Sequence, residues 1–156
     1  MTRDSHTSLD MIKALIDTNV LLDHFLGDRD PEGYSGLILA AARTHRIESV
    51  ITSQSILDAA YVAASSRGAG LDCFKKTMLS LFNYVNVSYI DLFEIRDALL
   101  SRDTDIEDNA QYAHALSEAC DVIITNDRKF IQRKTPGEIL MMTPEEFVGK
   151  MPIPTA

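Results

Sequence analysis

The segment Lys13-Ala14-Leu15-Ile16-Asp17 runs three apolar residues into an acid, which predicts a short buried strand with a carboxylate at its carboxyl end. Residues 18–26 carry Leu21, Leu22, Phe25 and Leu26 at helical spacing, and Gly27 stops that helix before the loop Asp28-Arg29-Asp30-Pro31. Leu37, Ile38, Ala41 and Ala42 predict a second helix over 32–46, and Ser49-Val50-Ile51-Thr52 a second strand. Helices over 53–66, closed by Gly68, and over 71–84 follow, then a third strand over 85–89. Asp91 and Glu94 stand at capping-box spacing at the head of a helix over 91–101. Beyond the polar turn 103–105 come a helix over 106–119 and the strand Asp121-Val122-Ile123-Ile124-Thr125. A last strand over 139–142 leads into a helix opened by Thr143-Pro144-Glu145-Glu146, with proline in its first turn.

Strands and helices alternate throughout, so the expected fold is α/β, three layers (α/β/α) around a mainly parallel central sheet. At about 150 residues per domain, 156 residues make one domain. We place it at 12–150, with tails at 1–11 and 151–156; there is no internal repeat. In such sheets ligands bind beyond the carboxyl ends of the strands, near a reversal of strand order.

The chain is 46% apolar, and a domain of this size buries roughly 68–70% of its unfolded surface, so it needs no metal or disulfide to fold. Fifteen Lys and Arg against 23 Asp and Glu give a net charge of −8. That excludes a general basic coat for nucleic acid and a polybasic membrane patch. A nucleic-acid enzyme remains, because bound cations bridge an acidic site to phosphate. The longest apolar stretches, such as 37–42, are far shorter than the roughly 20 residues that span a bilayer. The polar start lacks the apolar core of a signal peptide, so a cytoplasmic protein is expected. Cys73 and Cys120 read as reduced, half-buried thiols, and His6, His24, His45 and His114 make no zinc-site spacing.

Chemistry concentrates in the acids. Asp17 and Asp127 each follow an apolar strand. Asp58 lies on the helix entered from the second strand, and Asp108 in the first turn of the helix after 103–105. Helices that follow parallel strands begin at the same edge, so the four are expected to converge on one pocket. Like charges a few ångströms apart oppose folding, and sequences that gather them usually do so for cations. Only hard cations on oxygen, Mg²⁺ foremost, suit this donor set.

Each acid has a plainer reading. Asp17 is placed to N-cap the helix behind it, and its cap and ligand readings are both open. Asp58 sits among Ile56, Leu57, Ala59 and Ala60, a poor place for a solvated charge, which favours function. Asp105 fits an N-cap, which puts Asp108 at N3, where a carboxylate helps the helix dipole. Asp127 is suited to begin a turn into Arg128-Lys129-Phe130. Asn19 and Thr125 stand two residues from Asp17 and Asp127, where they either orient a carboxylate or serve as an ordinary cap and strand residue.

These residues resemble a known family. Ala14-Leu15-Ile16-Asp17-Thr18-Asn19-Val20-Leu21-Leu22 is similar to the opening strand and helix of PIN-domain ribonucleases, the group that includes the VapC toxins. Asp105-Ile106-Glu107-Asp108-Asn109-Ala110 resembles their central acidic segment. Asp121-Val122-Ile123-Ile124-Thr125-Asn126-Asp127-Arg128-Lys129-Phe130 resembles their late strand with its T-x-D, and Pro144-Glu145-Glu146-Phe147 their closing helix. The resemblance implies a metal-dependent endoribonuclease, with Asp17, Asp108 and Asp127 as metal ligands for one or two Mg²⁺ or Mn²⁺ ions. The family's second acid is usually Glu; the matching position is Asp58, one methylene shorter, implied as a ligand or water positioner. Asp17, Asp58, Asp108 and Asp127 are thus the implied catalytic set, with Asn19, Thr125 and Asp105 holding the ligands in place. The implied reaction is in-line hydrolysis of RNA to a 3′-hydroxyl and a 5′-phosphate. Implied partners are RNA, a second copy of the chain in a homodimer, and, for a toxin, a small antitoxin protein.

Arg29, Arg128 and Lys129 are candidates to hold RNA phosphates beside the acids. Arg133 and Lys134 read instead as a solvated cationic turn that balances nearby acids. Three other functions compete. A haloacid-dehalogenase-type phosphatase needs D-x-D after its first strand, and position 19 is Asn. A phosphoacceptor receiver domain needs an early acidic pair and a late strand lysine, and neither stands out. A catalytically weak PIN-fold binding module is the non-enzyme alternative, with Asp58 as its mark.

Overall fold

The structure, a computed structural model, describes residues 11–66, 70–133, 137 and 139–150. The expected tails, apart from Met11, and the Gly68 and Lys134 readings lie outside the described residues.

Five strands form one sheet: β1 (Lys13–Ile16), β2 (Glu48–Thr52), β3 (Asn86–Ser88), β4 (Val122–Ile124) and β5 (Leu140–Met142). All neighbouring strands are parallel, in the order β3-β2-β1-β4-β5, with Leu15 opposite both Val50 and Ile123. Connections after β1 step outward one way to β2 and β3, and the chain then returns to lay β4 and β5 on the other side. Strand order therefore reverses between β1 and β4, and the crevice at their carboxyl ends is the expected ligand position.

The helices are α1 (Thr18–Leu26), α2 (Tyr34–Arg43), α3 (Ser53–Ser65), α4 (Gly70–Leu81), α5 (Leu92–Leu100), α6 (Ile106–Ser117), α7 (Arg128–Arg133) and α8 (Pro144–Lys150). Alternate strand residues face opposite layers. Ala14, Ile16, Ile51, Val122 and Ile124 pack beneath α1 to α4 and α8, in a core with Leu21, Ile38, Ala59, Phe74 and Phe147. Leu15, Val50 and Ile123 point the other way and meet Ala115 of α6 and Phe130 of α7. No helix among the described residues is long and apolar enough to cross a membrane.

Helix α6 is docked by a buried polar contact. His114 Nδ1 lies 3.0 Å from both carboxylate oxygens of Glu94 on α5, and its Nε2 lies 2.6 Å from Ser88 Oγ at the end of β3. One neutral tautomer satisfies both, with Nδ1–H donating to Glu94 and Ser88 donating to Nε2. Glu94 also accepts from the Asp91 N–H at 2.8 Å while Asp91 accepts from the Glu94 N–H at 2.9 Å, which completes the capping box that their spacing predicts.

The structure departs from the expected elements in three places. The helix expected over 32–46 begins only at Tyr34, because Gly33 is in the left-handed region at φ 74°, and ends at Arg43 before His45 at φ 54°. The helix expected over 71–84 spans Gly70–Leu81. The turn expected after Asp127 is a helix, α7, whose N-cap is Asp127: its Oδ1 accepts from the N–H groups of Lys129 at 2.9 Å and Phe130 at 3.1 Å. Both thiols are free, but neither is half-buried as expected: Cys73 is exposed and Cys120 buried.

Candidate functional site

Asp17 is the N-cap of α1 and the first residue past β1, and its own N–H donates to the Ile124 carbonyl of β4 at 3.0 Å. The side chain is buried and accepts four hydrogen bonds. Oδ1 accepts from the Thr18 N–H at 2.6 Å and from Gln111 Nε2 of α6 at 3.2 Å. Oδ2 accepts from Asn19 Nδ2 at 2.8 Å and from the Thr125 hydroxyl at 2.6 Å. Burial pushes the Asp17 carboxyl above the usual carboxylate range; Thr125, Gln111 and Thr18 pull it down, and the charge of Asp127 pushes it up.

Thr125 spends its one proton on Asp17 and accepts from Asn19 at 3.2 Å and from the Asp127 N–H at 3.0 Å. Asn19 Oδ1 accepts from the Asn126 N–H at 3.0 Å. Asn19 and Thr125 thus tie the end of β1 to the end of β4, with Asp17 and Asp127 on either side.

Helix α6 brings its first turn to the same place. Asp105 is its N-cap, its Oδ1 accepting from the Asp108 N–H at 3.1 Å, as the spacing predicts. Asp17, Asn19, Asp105, Glu107, Asp108, Gln111 and Asp127 are among the residues that line one open cavity of about 260 Å³. Glu107 and Gln111 were missed by sequence reasoning. Gln111 follows Asp108 by three residues, one helical turn, and that was the available signal. The Glu107 carboxyl is pushed up by burial and by the charges of Asp58, Asp17 and Asp105.

Asp58 stands apart. It is half-buried and not among the residues lining this cavity, and its Oδ1 accepts from Gln54 Nε2 at 2.8 Å. Of the four acids expected to converge, Asp17, Asp108 and Asp127 line the cavity together with Glu107, and Asp58 lies near enough on α3 for its charge to act on the Glu107 carboxyl.

The candidate cations sit differently from one another. Arg29 Nε is 3.1 Å from Asp23 Oδ1, and Arg29 and Arg128 line a larger cleft of about 360 Å³ alongside Asp23, Asn126 and Tyr34. Asp23 is buried, and its Oδ2 accepts from Asn126 Nδ2 at 2.5 Å. Lys129 is exposed in the first turn of α7. Arg133 is exposed and balances nearby acids as expected, but from the end of a helix rather than a turn: it ends α7 and lies against Asp103, Asp105 and Asp108.

The family model of the PIN domain matches residues 13–129. The chain belongs to the PIN domain family. This PIN domain is 28% identical over 143 residues to ribonuclease VapC1 of Aquifex aeolicus (strain VF5), covering 86% of this chain and 92% of that protein. Its fold matches a toxin-antitoxin complex from Klebsiella pneumoniae with TM-score 0.61 and 21% identity, over 84% of this chain and 97% of that one. It matches VapBC2 from Rickettsia felis, bound to a promoter DNA fragment, with TM-score 0.60 and 14% identity, over 83% and 97%. It also matches VapC20 of Mycobacterium tuberculosis, described as a sarcin-ricin loop cleaving toxin, with TM-score 0.59 and 13% identity, over 81% and 98%.

Whether the site of this PIN domain suits a divalent cation is decided by its donors. Among the described residues no group of three His, Cys, Asp or Glu side chains is gathered tightly enough to hold a metal ion outright. The donors are nonetheless all oxygen, and Mg²⁺ characteristically takes one or two carboxylates and keeps several waters. Asp108 Oδ2 is buried without a hydrogen bond, and the positive charge that answers it is the Arg133 guanidinium. The residues therefore fit a hard, partly hydrated cation.

Proposed function

We propose that this PIN domain is a divalent-metal-dependent endoribonuclease acting as the toxin of a toxin–antitoxin pair. The observation that carries the reading is Asp17: a carboxylate buried at the strand-order reversal, held by four hydrogen bonds, and sharing its cavity with Asp108, Asp127 and Glu107. A fold gains nothing in stability from burying a carboxylate whose pKa burial raises, so the placement favours a site. The relationship to ribonuclease VapC1 supports RNA as substrate.

Asp17, Asp108 and Asp127 would hold Mg²⁺ or Mn²⁺, which supplies a water of lowered pKa and neutralises charge on the phosphate oxygens. The chain's own residues set the geometry. Thr125, Asn19 and Gln111 fix the orientation of Asp17, and the Asp105 cap fixes the first turn that presents Asp108. The water oxygen adds to phosphorus as the P–O3′ bond breaks, leaving a 5′-phosphate and a 3′-hydroxyl. Glu107 shares the cavity with these acids, its carboxyl pushed up by burial and by the charges of Asp58, Asp17 and Asp105. Arg29, Arg128 and Lys129 flank the acids and hold neighbouring phosphates.

The similarity in fold to toxin-antitoxin complexes supports an antitoxin partner. A homodimer through α5 is supported by its exposed Leu92, Phe93, Leu99 and Leu100, since clustered apolar side chains facing water mark interaction surfaces. The two free thiols suit a reducing, cytoplasmic setting.

The test is cleavage of single-stranded and structured RNA with Mn²⁺ and with EDTA, followed by mapping of the ends. The expected result is cleavage with Mn²⁺ only, with 5′-phosphate ends. A second reading, a binding module without activity, is favoured by the position of Asp58 outside the cavity. It predicts no cleavage and no Mn²⁺ binding.

A further inference from the structure

We propose that Arg133 is a built-in counter-ion, which occupies the Asp108 carboxylate until a divalent cation displaces it and so sets how tightly this PIN domain takes its metal. The inference rests on the nuclease reading above and names a residue that regulates that site.

Arg133 Nη2 contacts Asp108 Oδ2 and lies 3.4 Å from Asp105 Oδ2, while Nε lies 3.6 Å from Asp103 Oδ2. One guanidinium thus spans three acids at the head of α6. A planar fork of donors is suited to such a span, and it stays charged at any working pH. Asp108 Oδ2 is buried, and among the described residues Arg133 is the cation that answers it, so removal of Arg133 leaves a desolvated anion with its charge unanswered. A hydrated divalent cation and a guanidinium cannot share that oxygen. Metal binding through Asp108 Oδ2 must therefore move Arg133 aside.

The chain connects the two events. Asp127 caps the start of α7 beside Asp17, and Arg133 is the last residue of the same six-residue helix. Phe130, fully buried between them, pins α7 to the sheet. The helix stays in place while the Arg133 side chain, 30% exposed, has open solvent to swing into. The exchange costs affinity, so the site stays closed to weakly held ions and opens to those that bind strongly enough.

The experiment titrates Mn²⁺ calorimetrically into the chelator-treated full chain, its Arg133→Gln variant and its Arg133→Lys variant, and melts each with and without Mn²⁺. A neighbouring charge moves a carboxylate equilibrium by 1–3 log units, so Arg133→Gln should bind Mn²⁺ on the order of tenfold more tightly. Arg133→Lys, a point charge that cannot span three acids, should fall between it and the wild type. Without metal, Arg133→Gln should melt below the wild type, and Mn²⁺ should close the gap. A merely structural arginine would lower both melting temperatures equally and leave the affinity unchanged. Unchanged or weaker affinity in both variants, with the wild type binding Mn²⁺, overturns the counter-ion and leaves the nuclease reading standing. If no form binds Mn²⁺, both fall. If Arg133→Gln does not fold, the Arg133→Lys affinity decides alone, and equality with the wild type overturns the proposal.

Discussion

Asp17 is a carboxyl in a place that resists charge, and this makes a pH prediction. Burial raises its folded pKa above the unfolded value near 3.8, against the pull of Thr125, Gln111 and Thr18. Such a group favours the native state fully below the unfolded pKa, and that contribution is lost as pH rises through the folded value. In chelator, the wild type should therefore gain stability relative to Asp17→Asn as pH falls from 7 toward 4, read as the difference in urea midpoints. A pH-independent difference would contradict the raised pKa. The two thiols make a second prediction. Cys120 is pushed up to about 11 by burial, whereas Cys73 is exposed. A thiol reagent at pH 8 should label one cysteine, Cys73, in the native chain and both after unfolding. At this scale Asp17, Asp108 and Asp127 were legible because each follows a strand or opens a helix at the expected edge. Gln111 was not, because the carboxylate it serves lies 94 residues away. Arg133 was not, because nothing local ties a cation at the end of α7 to acids on α6.

At the scale of elements, the position of α6 decides whether Asp108 and Gln111 reach Asp17 at all. His114 holds that helix to α5 and β3 through Glu94 and Ser88. His114→Ala leaves the buried Glu94 carboxylate with the Asp91 N–H but without its imidazole donor, which should cost about 1–3 kcal/mol by urea unfolding. It should also reduce activity in excess of any unfolded fraction, because α6 carries half of the site. The capping box of Asp91 and Glu94 and the strand alternation were readable, since both are local patterns. Helix α7 was not readable: six residues give too few apolar positions to show a period, and an Asp that caps a helix looks like one that begins a turn.

Across the whole molecule, the parallel sheet and its reversal between β1 and β4 put the acids at one end, and among the described residues α5 leaves Leu92, Phe93, Leu99 and Leu100 exposed. The alternation of strands and helices predicted the layers; strand order, set by long-range pairing, became visible only in the fold. Phe93 on α5 is 72% exposed, so Phe93→Glu should convert a two-chain particle to a single chain in sedimentation without loss of helical signal. A wild type that sediments as one chain removes the α5 interface. The central claim is that the buried Asp17 is the heart of a metal-dependent ribonuclease site. Its most direct test compares RNA cleavage by the wild type and a folded Asp17→Asn variant, side by side in Mn²⁺. We expect cleavage by the wild type, abolished by EDTA, and none by the variant. Equal cleavage by both would contradict the claim.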